Sequence, residues 1–200
     1  MSIAAIDLAQ ARDQIELDRR IRETPSSARS RGVFFNQLRD ELRKRGLLQV
    51  RELRKVFEEP RRSWELYPTR ELIEAYGVAG TLLDPDPIQG IRGLFSTAPR
   101  YFSSTWYGRA FARVLRPDPG KLFDYIERSR EHVANYGRWR VEHRSSTHAI
   151  IHMLDEYFWI EAAQRGGCEG ALLACGVEGT VEAELDSPYT GRLEVRWARN

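Results

Sequence analysis

Lysine is close to absent from this chain: Lys44, Lys55 and Lys121 stand against 28 arginines among 31 basic residues. Such a skew follows a GC-rich genome and points to a bacterial source. Cysteine is scarce as well. Cys168 and Cys175 give no disulfide framework and no complete metal site. In a reducing cytosol they read as small core residues, with a reactive thiol as the alternative. No apolar run approaches the roughly 18–20 residues that cross a bilayer, so no membrane span is expected. Residues 1–22 lack the basic-then-apolar order of a signal peptide, because Asp7 interrupts the only apolar stretch. The expected location is therefore the cytoplasm.

Catalytic signatures are missing too. No Gly-x-Ser-x-Gly elbow surrounds Ser103-Ser104-Thr105 or Ser145-Ser146-Thr147, and turn or cap roles suit those serines. Gly90-Ile91-Arg92-Gly93 lacks the Lys-Ser/Thr of a phosphate loop. The carboxylate pairs Glu58-Glu59 and Asp155-Glu156 have no pocket context. Net charge is only +2. Residues 1–70 hold 16 basic and 11 acidic side chains, an asymmetry too mild for a nucleic-acid footprint. Between Arg39 and Arg62 the bases alternate with acids, as on a solvated helix surface.

What remains is the pattern of a folded chain. A hydrophobic content of 42% over 200 residues supports one sizeable core. Helices are expected over 5–22, from about 32 to Gly46, over 48–59, after Tyr67-Pro68-Thr69, and again after Asp84-Pro85-Asp86-Pro87. There Ile88, Ile91, Leu94, Phe95, Ala98 and Phe102 hold one 3.6-residue stripe. A further helix follows the Pro117–Gly120 break and ends near Gly137. Beyond it the period changes to alternation over 138–142 and 148–155. A helix over 158–174, interrupted at Gly166-Gly167, precedes a closing hairpin of 180–185 and 193–197 that turns at 187–191. This order predicts an α+β fold, with an N-terminal helical half on a small antiparallel sheet that carries an inserted helix. We expect one domain over 1–200: a helical extension (1–29), a helical part (30–136) and a sheet part (137–200).

Histidine spacing argues against metal. His148 and His152 share a strand face but sit about 13 Å apart at ~3.3 Å per residue, and His143 lies across a turn from them. His132, on a helix, reads as a surface residue. No metal site, no catalytic residue and no cofactor is therefore expected. The aromatic cluster Tyr101, Phe102, Trp106, Tyr107 and Arg109, joined by Phe95 and Trp139, is the candidate ligand- or partner-binding set. It would line an apolar cleft between helical half and sheet, Phe95–Phe111 on one side and Trp139 and Val141 on the other. Packing of the same aromatics into core is the alternative. Aromatics at Phe34, Phe35 and Trp64 suggest an exposed apolar patch and self-association as a homodimer.

Several stretches, in order, carry a family resemblance. They are Ala28-Arg29-Ser30-Arg31-Gly32-Val33-Phe34-Phe35-Asn36, Tyr67-Pro68, Phe102–Ala110, Asn135-Tyr136-Gly137-Arg138-Trp139-Arg140-Val141-Glu142 and Leu193-Glu194-Val195-Arg196-Trp197. Together they resemble the myxobacterial domain of unknown function 2378, also labelled TIIN, over residues 10–198. More distantly, the layout resembles the haem-nitric-oxide-binding fold, shared with vinyl-reductase-like ligand domains and Bet3-type trafficking subunits. Where the haem branch opens a helix with histidine this chain has Lys121, and of its Tyr-x-Ser-x-Arg motif Arg140–Arg144 keeps only the arginine. The resemblance implies the fold without the haem ligands. The expected function is a non-catalytic regulatory or interaction module in signalling, binding a partner protein, itself or a small apolar ligand. A haem or gas sensor and a thiol enzyme are the alternatives.

Overall fold

The computed structural model describes residues 8–104 and 118–199. It divides into two compact units, Met1–Leu94 and Phe95–Asn200. The division falls within one helix, upstream of the 136/137 step at which the sequence changes from helical to alternating periodicity.

The first unit is helical around a small two-stranded clasp. Helices α1 (Leu8–Gln14) and α2 (Leu17–Glu23) replace the single helix expected over 5–22. The break is Glu16, which takes a left-handed conformation at φ 50° and lets Leu17 turn into the core. Strands β1 (Arg29–Arg31) and β2 (Leu66–Pro68) pair antiparallel, a feature absent from the sequence reading because three-residue strands carry no usable alternation. They bracket α3 (Gly32–Lys44) and the single turn α4 (Arg51–Arg54). The expected helix over 48–59 shrinks to that one turn, anchored by buried Leu53 and Phe57. The segment that opens the family resemblance is the clasp itself. The Ser30 and Thr69 hydroxyls meet at 3.0 Å. Asn36 binds the backbone of Arg61 in both directions, at 2.7 and 3.0 Å. Helix α5 (Thr69–Leu83) buries the predicted face of Leu72, Ile73, Ala75, Tyr76 and Ala79. Inside the unit Tyr76 donates to the Gln37 carbonyl, and the Gln37 amide reaches the Leu94 carbonyl at 3.1 Å. Helix α6 (Pro87–Ser96) starts as expected, with Asp86 accepting the Ile88 N–H at 3.0 Å.

The second unit is the α+β half. Helix α7 (Ala98–Ser104) continues past a break at Thr97, which splits the predicted stripe in two. Helix α8 (Pro119–Val133) is capped by Asp118. A four-stranded antiparallel sheet follows in the order β3-β4-β6-β5, with β3 Arg138–Ser145, β4 His148–Leu154, β5 Gly179–Ser187 and β6 Thr190–Trp197. Between β4 and β5 lie a π-helical turn, Ile160–Gln164, and α9 (Arg165–Cys175). Gly166-Gly167 sits inside this continuous helix and does not interrupt it. The irregularity falls earlier, where the Trp159 carbonyl accepts from Ala162, Ala163 and Gln164. One sheet face is apolar: Ala149, Ile151, Met153, Val181, Leu193 and Val195 pack with Phe123 of α8 and Ala171 and Leu172 of α9. The other carries Arg140, Glu142, His148, His152, Glu184, Arg192 and Glu194, in the alternation expected of a half-solvated antiparallel sheet.

Helices α5 and α6 pack closely, so that a Cβ on Gly90 would lie 2.1 Å from the Gly80 carbonyl oxygen. Gly93, one turn later on α6, faces open space. Gly90→Ala is expected to cost about 1–3 kcal/mol or more by overpacking. Gly93→Ala should be neutral or stabilise by up to ~1 kcal/mol. Urea denaturation of the two variants checks this.

Candidate functional site

A buried charge pair organises one end of the sheet. Arg130, from the last turn of α8, donates from Nη2 to Glu156 Oε2 at 2.9 Å. Its side chain is 9% exposed and that of Glu156 is 0%. Glu156 follows Asp155, which turns the chain at φ 55° just after β4. The same Glu156 oxygen accepts the Trp139 indole N–H at 2.9 Å. Its other oxygen accepts the Phe158 N–H at 3.2 Å, and its own N–H binds the Tyr189 carbonyl at 2.9 Å. The guanidinium lies over the rings of Tyr136 (4.9 Å) and Trp139 (5.1 Å), two cation–π contacts. Burial works against the Arg130 charge, but Glu156 and Tyr136 outweigh it and hold its pKa above the ordinary value. Gly137, at φ +72°, passes close above: a Cβ there would sit 3.0 Å from Arg130 Nη2. The Tyr-Gly step thus clears room for the pair.

Three loops each bring a tyrosine to this end. Tyr136, Tyr157 and Tyr189 form a row with ring centroids 5.3 and 5.4 Å apart, and all three are half-buried. Tyr157 has its pKa raised by partial burial and by the carboxylates of Asp155 and Glu156. Of the residues singled out from sequence, Trp139 belongs to this site through its bond to Glu156. Phe95 joins through Phe158, its ring 5.4 Å away in an edge contact. Tyr101 and Phe102 are half-buried on α7, 6.4 Å apart. Trp106, Tyr107 and Arg109 lie outside the described residues. Sequence reasoning did not connect Arg130 with Glu156, 26 positions apart: the first lies among ordinary helix charges and the second was noted only as half of the Asp155-Glu156 pair. Only the Tyr-Gly step nearby hinted at a special site. Phe35, expected to be exposed, is a fully buried core residue of the first unit, whereas Trp64 is 47% exposed.

The sequence description of DUF2378, a protein family of unknown function, matches residues 24–198. The chain belongs to the DUF2378 family. No curated protein matches it in sequence. In fold it is similar to an Fe(II) unliganded H-NOX protein from K. algicida, with a TM-score of 0.60 at 13% identity, covering 85% of this chain and 97% of that one. A point mutant of that protein aligns equally well. A structure described as probing heme distortion in the H-NOX family gives 0.58 at 12% identity, over 84% and 95%. These likenesses agree with the mixed helix-and-sheet architecture.

Among the described residues of this DUF2378 chain, no histidine stands where the resemblance would put a haem ligand. Iron takes an axial side-chain donor, yet the first turn of α8 carries Lys121, exposed and 3.6 Å from Asp118. The inward positions of that helix are filled by Phe123, Leu122 and Ile126 within the sheet core, with Phe123 5.7 Å from Trp197. His132 is exposed in its last turn. The strand histidines face carboxylates: His143–Asp124 at 2.7 Å, His148–Glu194 at 2.8 Å and His152–Glu142 at 3.2 Å. Among the described residues no group of three or more His, Cys, Asp or Glu side chains could hold a metal. No described helix is long and apolar enough to cross a membrane.

Glu156→Ala leaves Arg130 buried without its counter-charge, so a loss of about 3–5 kcal/mol is expected. Replacing both, as Arg130→Met with Glu156→Leu, should recover much of it, and a double-mutant cycle in urea measures the difference. The Cys168 thiol, buried on α9, is pushed up to about 12 by desolvation and Glu169. An unfolded thiol ionises first, so this group's contribution to stability is complete below pH 9 and lost between about 9 and 12. Iodoacetamide should therefore label Cys168 in the native protein far more slowly than an unfolded thiol at pH 8–9.

Proposed function

We propose that this chain is a non-catalytic regulatory module of a bacterial cytoplasmic signalling system, acting as one domain that holds a partner protein or a small apolar ligand. Its docking residues are Phe95, Tyr101, Phe102 and Trp139, with Trp106, Tyr107 and Arg109 on the intervening segment. The observation that carries this reading is the state of the reactive groups. Glu156 is spent on Arg130, the three strand histidines face carboxylates, and Cys168 is held as a neutral thiol. Catalysis by such groups requires a pKa near the working pH, and here the buried thiol is moved away from it. Half-buried aromatics on α7 and in the tyrosine row instead supply rigid contact area at low entropic cost. The likeness to H-NOX proteins supports a sensor-type architecture, and Lys121 in the first turn of α8 separates this chain from a haem-based one.

Native mass spectrometry of the purified protein tests the reading. The expected result is a small-molecule adduct or a defined complex, a homodimer included. Phe102→Ala should lose it while lowering Tm by only a few degrees, as a partly exposed truncation does. A bare monomer at high micromolar concentration, or a stoichiometric Soret band after adding hemin, would overturn it.

A further inference from the structure

One edge of the sheet is covered and the other is open. On the β3 side α8 supplies the missing partners: the Val141 N–H donates to the Glu127 carboxylate at 3.0 Å, and the His143 ring meets Asp124 at 2.7 Å. On the β5 side the Ala198 N–H donates to the Glu178 carbonyl at 2.9 Å. The register then pairs Thr180 with Arg196, Glu182 with Glu194 and Glu184 with Arg192. An antiparallel ladder bonds at every second residue, so these residues turn their backbone groups to β6. The N–H and C=O of Val181, Ala183 and Leu185 therefore point out from the edge. Among the described residues nothing bonds to those N–H groups. Natural edges are blunted by proline, by lysine or by a covering element. Strand β5 has neither proline nor lysine, and its bulge between Leu185 and Ser187 leaves Gly179–Leu185 in regular register.

The chain along this edge is acidic without interruption. Between Arg165 and Arg192 there is no lysine, arginine or histidine, while Glu169, Glu178, Glu182, Glu184 and Asp186 all fall there. Glu182 and Glu184 are exposed on the outer sheet face. Across the ladder Arg192 binds Glu184 at 2.6 Å, with Asp186 in its field, and Arg196 binds Glu194. Both arginines are thus engaged. Glu182 faces Glu194 directly, and no ion pair engages it. On the inner face Ala183 is half-buried and Leu185 is 42% exposed. We propose that β5 accepts an added strand from a partner protein, an extended segment with cationic side chains at alternate positions and apolar ones between. Its backbone pairs with Val181, Ala183 and Leu185, its cations lie beside Glu182 and Glu184, and its apolar residues cover Ala183 and Leu185. A second copy of this chain fits poorly, because antiparallel self-pairing about Ala183 sets Glu182 directly opposite Glu184. This surface is distinct from the aromatic set and does not rest on it.

The probe is the end-blocked heptapeptide Lys-Val-Lys-Val-Lys-Val-Lys, titrated against the full chain. Its binding should slow amide hydrogen exchange at Val181, Ala183 and Leu185 and leave the β3 amides unchanged. The matching Glu-Val peptide should bind more weakly by roughly tenfold, since opposite charges across a strand pair attract and like charges repel. A Lys-Val peptide methylated on the valine nitrogens keeps its charge but loses its donors, and it should not bind. Ala183→Pro removes an outward N–H and no ladder bond, so it should fold normally and lose the peptide. Glu182→Lys should weaken the Lys-Val peptide by roughly tenfold and strengthen the Glu-Val one. The proposal is overturned by equal binding of the two peptides, by binding of the methylated one, or by no binding of Lys-Val at all. Unchanged exchange at the three amides, or a peptide-free dimer that Ala183→Pro abolishes, overturns it equally. Native mass spectrometry without peptide reads the aromatic set separately, so either reading can fail without the other.

Discussion

Placing Arg130 and Glu156 together out of water sets conditions that the rest of the second unit must meet. A desolvated carboxylate is costly unless its lone pairs are filled, and here three donors from three places fill them: α8, the start of β3 and the chain just after β4. The guanidinium in turn lies over two ring faces, those of Tyr136 and Trp139. Gly137 has no side chain to intrude, and the Tyr189 carbonyl ties the β5–β6 turn to the same point. One ion pair therefore registers a helix, a sheet and two loops against one another. Such a pair adds little net stability over an apolar replacement, but it penalises every arrangement that leaves a charge alone. Specificity of loop placement is what it contributes.

The first unit fixes its clasp with exposed or neutral groups instead of a buried ion pair. Its clasp depends on hydroxyl pairing between Ser30 and Thr69 and on Asn36 gripping the Arg61 backbone. The Arg61 guanidinium lies 5.3 and 4.8 Å from the ring centres of Phe35 and Tyr67 and binds Glu71 at 2.9 Å. The residues that carry the family resemblance are thus chiefly architectural at both places. A motif can mark a lineage because a fold demands it, with no reaction attached.

The chemistry available to the chain is constrained by the same packing. Phe123 occupies an inward position of α8 and is fully buried against the sheet. On α9 burial keeps Cys168 protonated through the physiological range. At the loop end of the sheet the described surface presents the half-buried rings of Tyr136, Tyr157 and Tyr189.

Periodicity and punctuation in the sequence were enough for the α+β class, the face of α5, the start of α6 at Pro87 and the alternation of the four sheet strands. These are local properties, written in side-chain spacing and in the backbone limits of proline and glycine. Where a break had no such residue, as at Glu16 or Thr97, or where a strand was only three residues long, the pattern carried nothing to read. Cys168 was legible as core because a small apolar side chain in a helical stripe is usually buried. The Arg130–Glu156 pair was not, since a charge in a helix and a charge after a strand look like solvated surface until the fold brings them within 2.9 Å. Sequence by itself determined which segments are regular and which faces are apolar. Tertiary structure alone decided which charges are buried in pairs and which are left facing water, because an ion pair depends on distance through space and on the water removed around it.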